Sequence, residues 1–237
     1  PGETVKIQYY GSKIENSDIQ GIYDAGMVFN ADSYPAFGLQ TMGEKAIAAT
    51  QPDGNMSLDL KIEQVKQYPT KDGEVTEILL KDKVYPFEIK QYYKAYQGTD
   101  IISTWIEIMN NGKKSVTLYR FVSAYLPVQR GDNWLTHFHG HWGAENMLEE
   151  EKLTNGQKVI SNKDGMVNTE TDNPSFMLSI DGKPQEEYGH ILGGTLAWTG
   201  NYLLKMDITN TKLNIIAGIN EENSHYKLES KETFKTP

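Results

Sequence analysis

Cysteine is absent from this chain, which removes disulfides, thiolate catalysis and zinc sites built on sulfur. Long apolar runs are missing as well, and none approaches the roughly 20 residues needed to cross a bilayer as a helix. Positive charge is in deficit. The 32 acidic residues outnumber the 23 basic ones, and a net charge of -9 repels phosphate backbones and anionic headgroups, so no nucleic acid and no membrane is expected as a partner. Nucleophile elbows, phosphate loops and dinucleotide fingerprints do not occur, and no cofactor is expected. No signal peptide is visible. The chain opens at Pro1-Gly2-Glu3 and runs straight into strand-like sequence, as a trimmed chain does, which leaves the compartment open with the periplasm preferred over the cytoplasm.

What is present suits an all-β protein. With 237 residues, 38% of them hydrophobic, the chain can bury a real core, and disorder is excluded. Alternation of side-chain type dominates over helical spacing. Thr4 to Tyr10 and Val84 to Tyr93 read as half-buried strands, with Pro86 placing the second near an edge or a bulge. Ile101 to Leu126 reads as a hairpin: Ile102, Thr104, Ile106 and Ile108 alternate with polar or aromatic residues, and Asn110-Asn111-Gly112-Lys113 supplies the turn. Turn signals recur at Asp53-Gly54, Asp72-Gly73, Asn155-Gly156, Asp164-Gly165 and Asp181-Gly182, as many short antiparallel strands require. The best helix candidate, Ala144 to Leu153, is short and acidic. No repeat, linker or shift in composition marks a second domain, so residues 1–237 are expected to form a single antiparallel β-sandwich domain.

Candidate chemistry concentrates in Leu135 to Glu145, which holds three of the five histidines and one of the four tryptophans. His137, His139 and His141 have the spacing that puts alternate strand residues on one face, and such a pair can hold zinc or copper. Against this, Gly140 interrupts the pattern, and beyond His190 and His225 no further ligand is evident, so no metal is expected. A general acid/base pair could form between one histidine and Glu145, Glu149, Glu150 or Glu151. Glu149-Glu150-Glu151-Lys152 reads as a solvated charge run, which leaves Glu145 as the better partner. The aromatic residues could stack on sugar rings, although most are expected in cross-strand packing. Trp134 and Trp142 are better surface candidates than Trp105 and Trp198, which sit inside strand patterns.

Four stretches, taken together, resemble the N-terminal domain of α-galactosidases of glycoside hydrolase family 36, particularly the branch found in Bacteroides-like organisms. The first joins Tyr34-Pro35-Ala36-Phe37-Gly38, Met42-Gly43-Glu44-Lys45-Ala46-Ile47 and Pro52-Asp53-Gly54-Asn55. The second is Leu80 to Phe87. The third runs from Val116-Thr117-Leu118-Tyr119 through Ser123-Ala124-Tyr125-Leu126 to the histidine cluster with Trp142 and Glu145. The fourth contains Pro174 to Asp181, Gly194 to Tyr202 and Ala217-Gly218-Ile219-Asn220. They cover nearly the whole chain in order. At His141 the chain departs from the branch, where an acidic or small residue is more usual.

The resemblance implies an antiparallel β-supersandwich, galactose mutarotase-like, that precedes a catalytic (β/α)₈ barrel. In the family that barrel carries an aspartate nucleophile in a Lys-x-Asp-x-Asn motif and an aspartate acid/base, for retaining cleavage of terminal α-linked galactose. The stretch Glu232 to Pro237 is similar to the junction before the barrel, so the catalytic domain is expected after residue 237 and no catalytic residue within this chain. Lys205-Met206-Asp207-Ile208-Thr209-Asn210 echoes the nucleophile motif, but its asparagine lies one residue too late. By analogy the loops at Phe29–Phe37 and His137–Glu145 wall the sugar pocket, with Tyr34, Phe37, His137, His139, Trp142 and Glu145 as lip residues. The implied partners are the chain's own C-terminal barrel, α-galactosides and a second copy in a homo-oligomer. A stand-alone mutarotase-like enzyme using His137 or His139, and a carbohydrate-binding module using Trp142, are the alternatives.

Overall fold

The structure is a computed structural model that describes residues 4–9, 14–24, 31–38, 43–166, 172–222 and 224–237. Pro1 to Glu3, Tyr10, Phe29 and Met42, which entered the sequence reading, lie outside the described residues. The chain gathers into two compact units: Pro1–Ala124 with Asn223–Thr236, and Tyr125–Glu222 with Pro237. No described helix is long and apolar enough to cross a membrane.

In the first unit, β1 (Lys6–Ile7) pairs antiparallel with β2 (Ala31–Asp32), so only two residues of the expected Thr4–Tyr10 strand enter a ladder. The single α-helix among the described residues, α1 (Ile19–Asp24), follows a 3₁₀ turn. After β3 (Ile47–Thr50) comes a long meander of β4 (Leu60–Thr70), β5 (Gly73–Asp82), β6 (Phe87–Tyr96) and β7 (Ile102–Asn110). Alternation sends one row of apolar side chains to a shared face, with Leu80 opposite Ile89 and Ile89 opposite Ile108. All three are buried, and each contributes roughly 1.5–3 kcal/mol by leaving water. The other face carries cross-strand pairs. Glu77 meets Lys90 at 3.5 Å, and Tyr92 stacks on Trp105 with ring centroids 4.8 Å apart.

Pro86 stands in the turn before β6, not within a strand. There the Asp82 carboxylate accepts the N–H groups of Val84 and Tyr85, and a residue with no N–H costs the ladder nothing. The expected hairpin of Ile101–Leu126 does not form. The turn is present, but β8 (Val116–Val128) leaves the meander and pairs with β3 and with β16 (Tyr226–Leu228), while β17 (Thr233–Lys235) takes the free edge of β7. Asn110 explains the change of sheet. Its buried amide donates to the carbonyls of Lys114, Leu228 and Glu229, which ties the strand end to the returning chain. Phe234 of β17 extends the apolar row beside Ile108 and meets Phe121 of β8 edge to face at 5.0 Å.

In the second unit, β9 (Trp134–His141) lies between β10 (Ala144–Lys152) and β12 (Asp172–Ser179), with β13 (Ile191–Thr195) beyond. A second ladder joins β11 (Gly156–Ser161), β14 (Tyr202–Ile208) and β15 (Leu213–Ile219). Leu135, Phe176 and Leu178 from the first ladder share one apolar core with Ile160, Leu204, Met206 and Ile215 from the second. The expected helix at Ala144–Leu153 is instead the strand β10. Its Ala, Glu, Met and Leu residues favour helix, but cross-strand pairing with β9 overrides that small preference. Both units are built almost wholly on antiparallel ladders, with one isolated parallel bridge between Ala36 and Ile47, and this is the all-β supersandwich class that the resemblance implies.

Candidate functional site

Strand β9 runs unbroken through Gly140, because the strand itself requires a glycine there. A Cβ at this position would stand 2.7 Å from the Ala144 carbonyl oxygen and 2.8 Å from the Glu145 Cα. The crowding comes from a bulge in β10 between Ala144 and Met147, where Asn146 adopts φ 55°. The two strands are joined by a two-residue turn, Trp142-Gly143, in which Gly143 has φ 80°. At the tip of this hairpin Trp142 is 82% exposed. Met147 and Leu148, further down β10, are exposed too.

Register decides what faces what. His137 stands opposite Glu149 on β10 and Phe176 on β12, while His139 stands opposite Met147 and Asp172. Residues directly opposite share a face, so His137, His139, Glu149 and Asp172 lie on the side that carries the core, and Glu151 joins them two residues along β10. The run 149–152 is solvated, with its three carboxylate side chains 32–45% exposed, but alternate members lie on opposite faces of the strand. Glu149 and Glu151 turn inward, whereas Glu150 turns toward Lys183 at 3.8 Å.

His137 is only 3% exposed, and neither of its ring nitrogens has a hydrogen-bond partner. Its Nε2 stands 3.4 Å from Glu151 Oε1 and 3.8 Å from Glu149 Oε2, close but without hydrogen-bond alignment. His139 Nε2 approaches Glu149 Oε2 at 3.4 Å from the solvent side. Lys158 of β11 ion-pairs with Glu151 Oε1. Burial pushes the Asp172 carboxyl up from its usual range, with His137, Lys158 and His139 pulling the other way. The Tyr202 phenol is also raised, first by burial and then by the Asp172 charge, and its hydroxyl is buried without a partner. Among the described residues, His137, Glu149 and Glu151 form the group whose donor atoms could hold a metal ion, all within 4.8 Å of one another. Nothing in residue type sets Glu149 and Glu151 apart from Glu150 in the sequence; the pairing with β9 does.

The remaining expected site residues behave differently. Glu145 does not face His137 or His139. Its Oε1 accepts the Gly143 N–H at 3.0 Å inside the turn, and that bond first, with the nearby His141 a smaller cause, holds the carboxyl below its ordinary range. His141 Nδ1 lies 3.0 Å from the Trp142 carbonyl oxygen, apart from the other two histidines' carboxylates. In the first unit, Tyr34 is buried and its hydroxyl donates to the Val122 carbonyl at 2.8 Å, while Phe37 is exposed. Trp198 is not in a strand. It lies between β13 and β14, 39% exposed, with its indole N–H donated to the Asn201 carbonyl. Asp207, the centre of the motif echo, sits within β14 on a ladder with β15.

Relatives of this chain include α-galactosidases about three times its length. The α-galactosidase AgaA of Geobacillus stearothermophilus is 24% identical over 220 residues, which is 86% of this chain and 30% of that protein. The α-galactosidase Mel36A of Lactobacillus acidophilus is 26% identical over 269 residues, covering 100% of this chain and 36% of that protein. Among solved structures, the galactosidase domain of the α-galactosidase–sucrose kinase AgaSK superposes with a TM-score of 0.85 at 24% identity, over 97% of this chain and 36% of that one. The chain thus spans about a third of the length of the relatives it matches. The family model for the glycosyl hydrolase family 36 N-terminal domain matches residues 3–229, through both units, and this chain belongs to that family.

Proposed function

We propose that this chain is the non-catalytic N-terminal domain of an α-galactosidase that hydrolyses terminal α-galactosyl residues, and that it shapes the sugar pocket of a following catalytic barrel and supports the barrel or an oligomer. The carrying observation is the family match over residues 3–229 together with relatives of which the chain spans only 30–36%. An AgaA variant of Geobacillus stearothermophilus has been solved with stachyose, which fits α-galactosides as the substrate class. Of the expected lip residues, Phe37 in the first unit and Trp142 in the second are exposed aromatics, with His139 and Glu145 on the same hairpin as Trp142. Tyr34 and His137 are buried, so neither presents a side chain at the lip of a pocket. The test is an assay of the 237-residue chain with an aryl α-galactoside. No product above blank is expected, and turnover that survives repurification would contradict the proposal.

The 82% exposure of Trp142 gives a carbohydrate-binding role some footing by itself. It requires calorimetric heat with galactosides that Trp142→Ala abolishes. Silence at millimolar ligand removes that reading.

A further inference from the structure

The inner face of the β9–β10 hairpin holds a group that the galactosidase role does not use. We propose that His137 Nε2 and one carboxylate oxygen each from Glu149 and Glu151 form a site for a divalent transition-metal ion, zinc foremost. This rests on geometry within the second unit and stands whether or not the intact protein cleaves galactosides.

The spacing fits such an ion. Zinc ligands at about 2.0–2.2 Å in a tetrahedron place their donor atoms roughly 3.3–3.6 Å apart. The Nε2 of His137 lies 3.4 Å from Glu151 and 3.8 Å from Glu149. Those distances are poor for hydrogen bonds, and at 3% exposure the imidazole has no other partner on either nitrogen. A buried ring that satisfies neither nitrogen is costly unless something fills the gap it faces. Two carboxylates and a neutral imidazole balance the charge of a divalent ion. Imidazole also selects zinc, copper or nickel over magnesium and calcium, which prefer all-oxygen sites.

The surroundings supply the rest of a metal centre. His139 Nε2, 3.4 Å from Glu149 Oε2, orients that carboxylate from outside. Glu149 and Glu151 remain partly exposed, which leaves an entry path and a position for water. Lys158 occupies Glu151 without an ion and is the competitor that metal displaces. Because the ligands come from β9 and β10, the ion pins the edge strand to its neighbour below the Trp142 tip.

The chain, stripped with chelator and passed over a desalting column, is titrated with zinc chloride by calorimetry, and retained metal is counted by plasma mass spectrometry. One zinc per chain is expected, with a rise in melting temperature and a shift of the His137 Nε2 resonance in long-range nitrogen–proton spectra. Glu149→Gln with Glu151→Gln should abolish retention while circular dichroism stays that of the wild type. His139→Ala should weaken binding by about 10–100-fold, Lys158→Met should tighten it, and His190→Ala, whose ring pairs with Asp181 on the surface, should leave it unchanged. No stoichiometric zinc on the wild type overturns the proposal. So does wild-type affinity in the folded Gln variant, or zinc uptake that leaves the His137 resonance unmoved, a readout that needs no variant to fold.

Discussion

Two rows of side chains, one in each unit, run across four antiparallel strands in the same register pattern. In the first unit the row is Leu80, Ile89, Ile108 and Phe234. In the second it is Glu149, His137, Phe176 and Gly194. The first is apolar from end to end and closes the core against β8. The second begins in the core, where the Phe176 ring fills the space a Cβ of Gly194 would need, and turns polar at its far half. Strand alternation selects which residues face inward but not what they do there. An apolar inward residue is packing, whereas an inward imidazole without a hydrogen-bond partner marks a place built for something else.

The comparison breaks most readily in the apolar row. Ile108→Ala should cost about 2–5 kcal/mol in urea unfolding, because its site is closed on both strand neighbours. A loss under about 1 kcal/mol would mean that the first unit is loosely packed. Next come two hairpin glycines. At Gly73 a Cβ would lie 2.0 Å from the Ala95 carbonyl oxygen, and Gly73→Ala should cost about 1–3 kcal/mol by forcing backbone apart. Gly140→Ala meets backbone at 2.7 Å across a bulge that can yield, so the smaller loss is expected there. The reverse order would show the second hairpin to be the more rigid.

The smallest effect is electrostatic. Burial raises the Asp172 carboxyl above its ordinary value of 3.8, so its ionised form is disfavoured in the fold and subtracts stability at neutral pH. That loss is recovered as pH falls through the raised value toward the unfolded one. Asp172→Asn should therefore melt slightly higher than the wild type at neutral pH, and the gap should close below pH 3.8. A lower melting temperature for the variant at neutral pH would mean that the carboxylate is held by its histidine neighbours instead.

Much of the architecture was legible because its causes are local. The inward phase of Ile106 and Ile108, and the turns at Asp53-Gly54 and Asp164-Gly165, follow from period-2 alternation and from glycine's tolerance of positive φ. What was misread depended on partners far along the chain. The turn after Asn110 has the same residues whether the next strand pairs back or crosses to another sheet, and the choice is made by carbonyls more than a hundred residues away. Helix-favouring residues in β10 concealed a strand that only pairing with β9 stabilises. The candidate site was half visible. His137 and His139 were found by spacing, but Glu149 and Glu151 were hidden by the charge run around them, and their register with β9 is set by the hairpin's bulge.

The central claim is that His137 is a metal ligand and not a structural ion-pair partner. The most direct test is the urea-unfolding stability of His137→Leu against the wild type, both in excess chelator at neutral pH. An apolar side chain removes two unsatisfied nitrogens from a buried position, so the variant should be at least as stable as the wild type. A loss of more than about 1 kcal/mol would show that the histidine already draws its stability from Glu149 and Glu151, and would contradict the account.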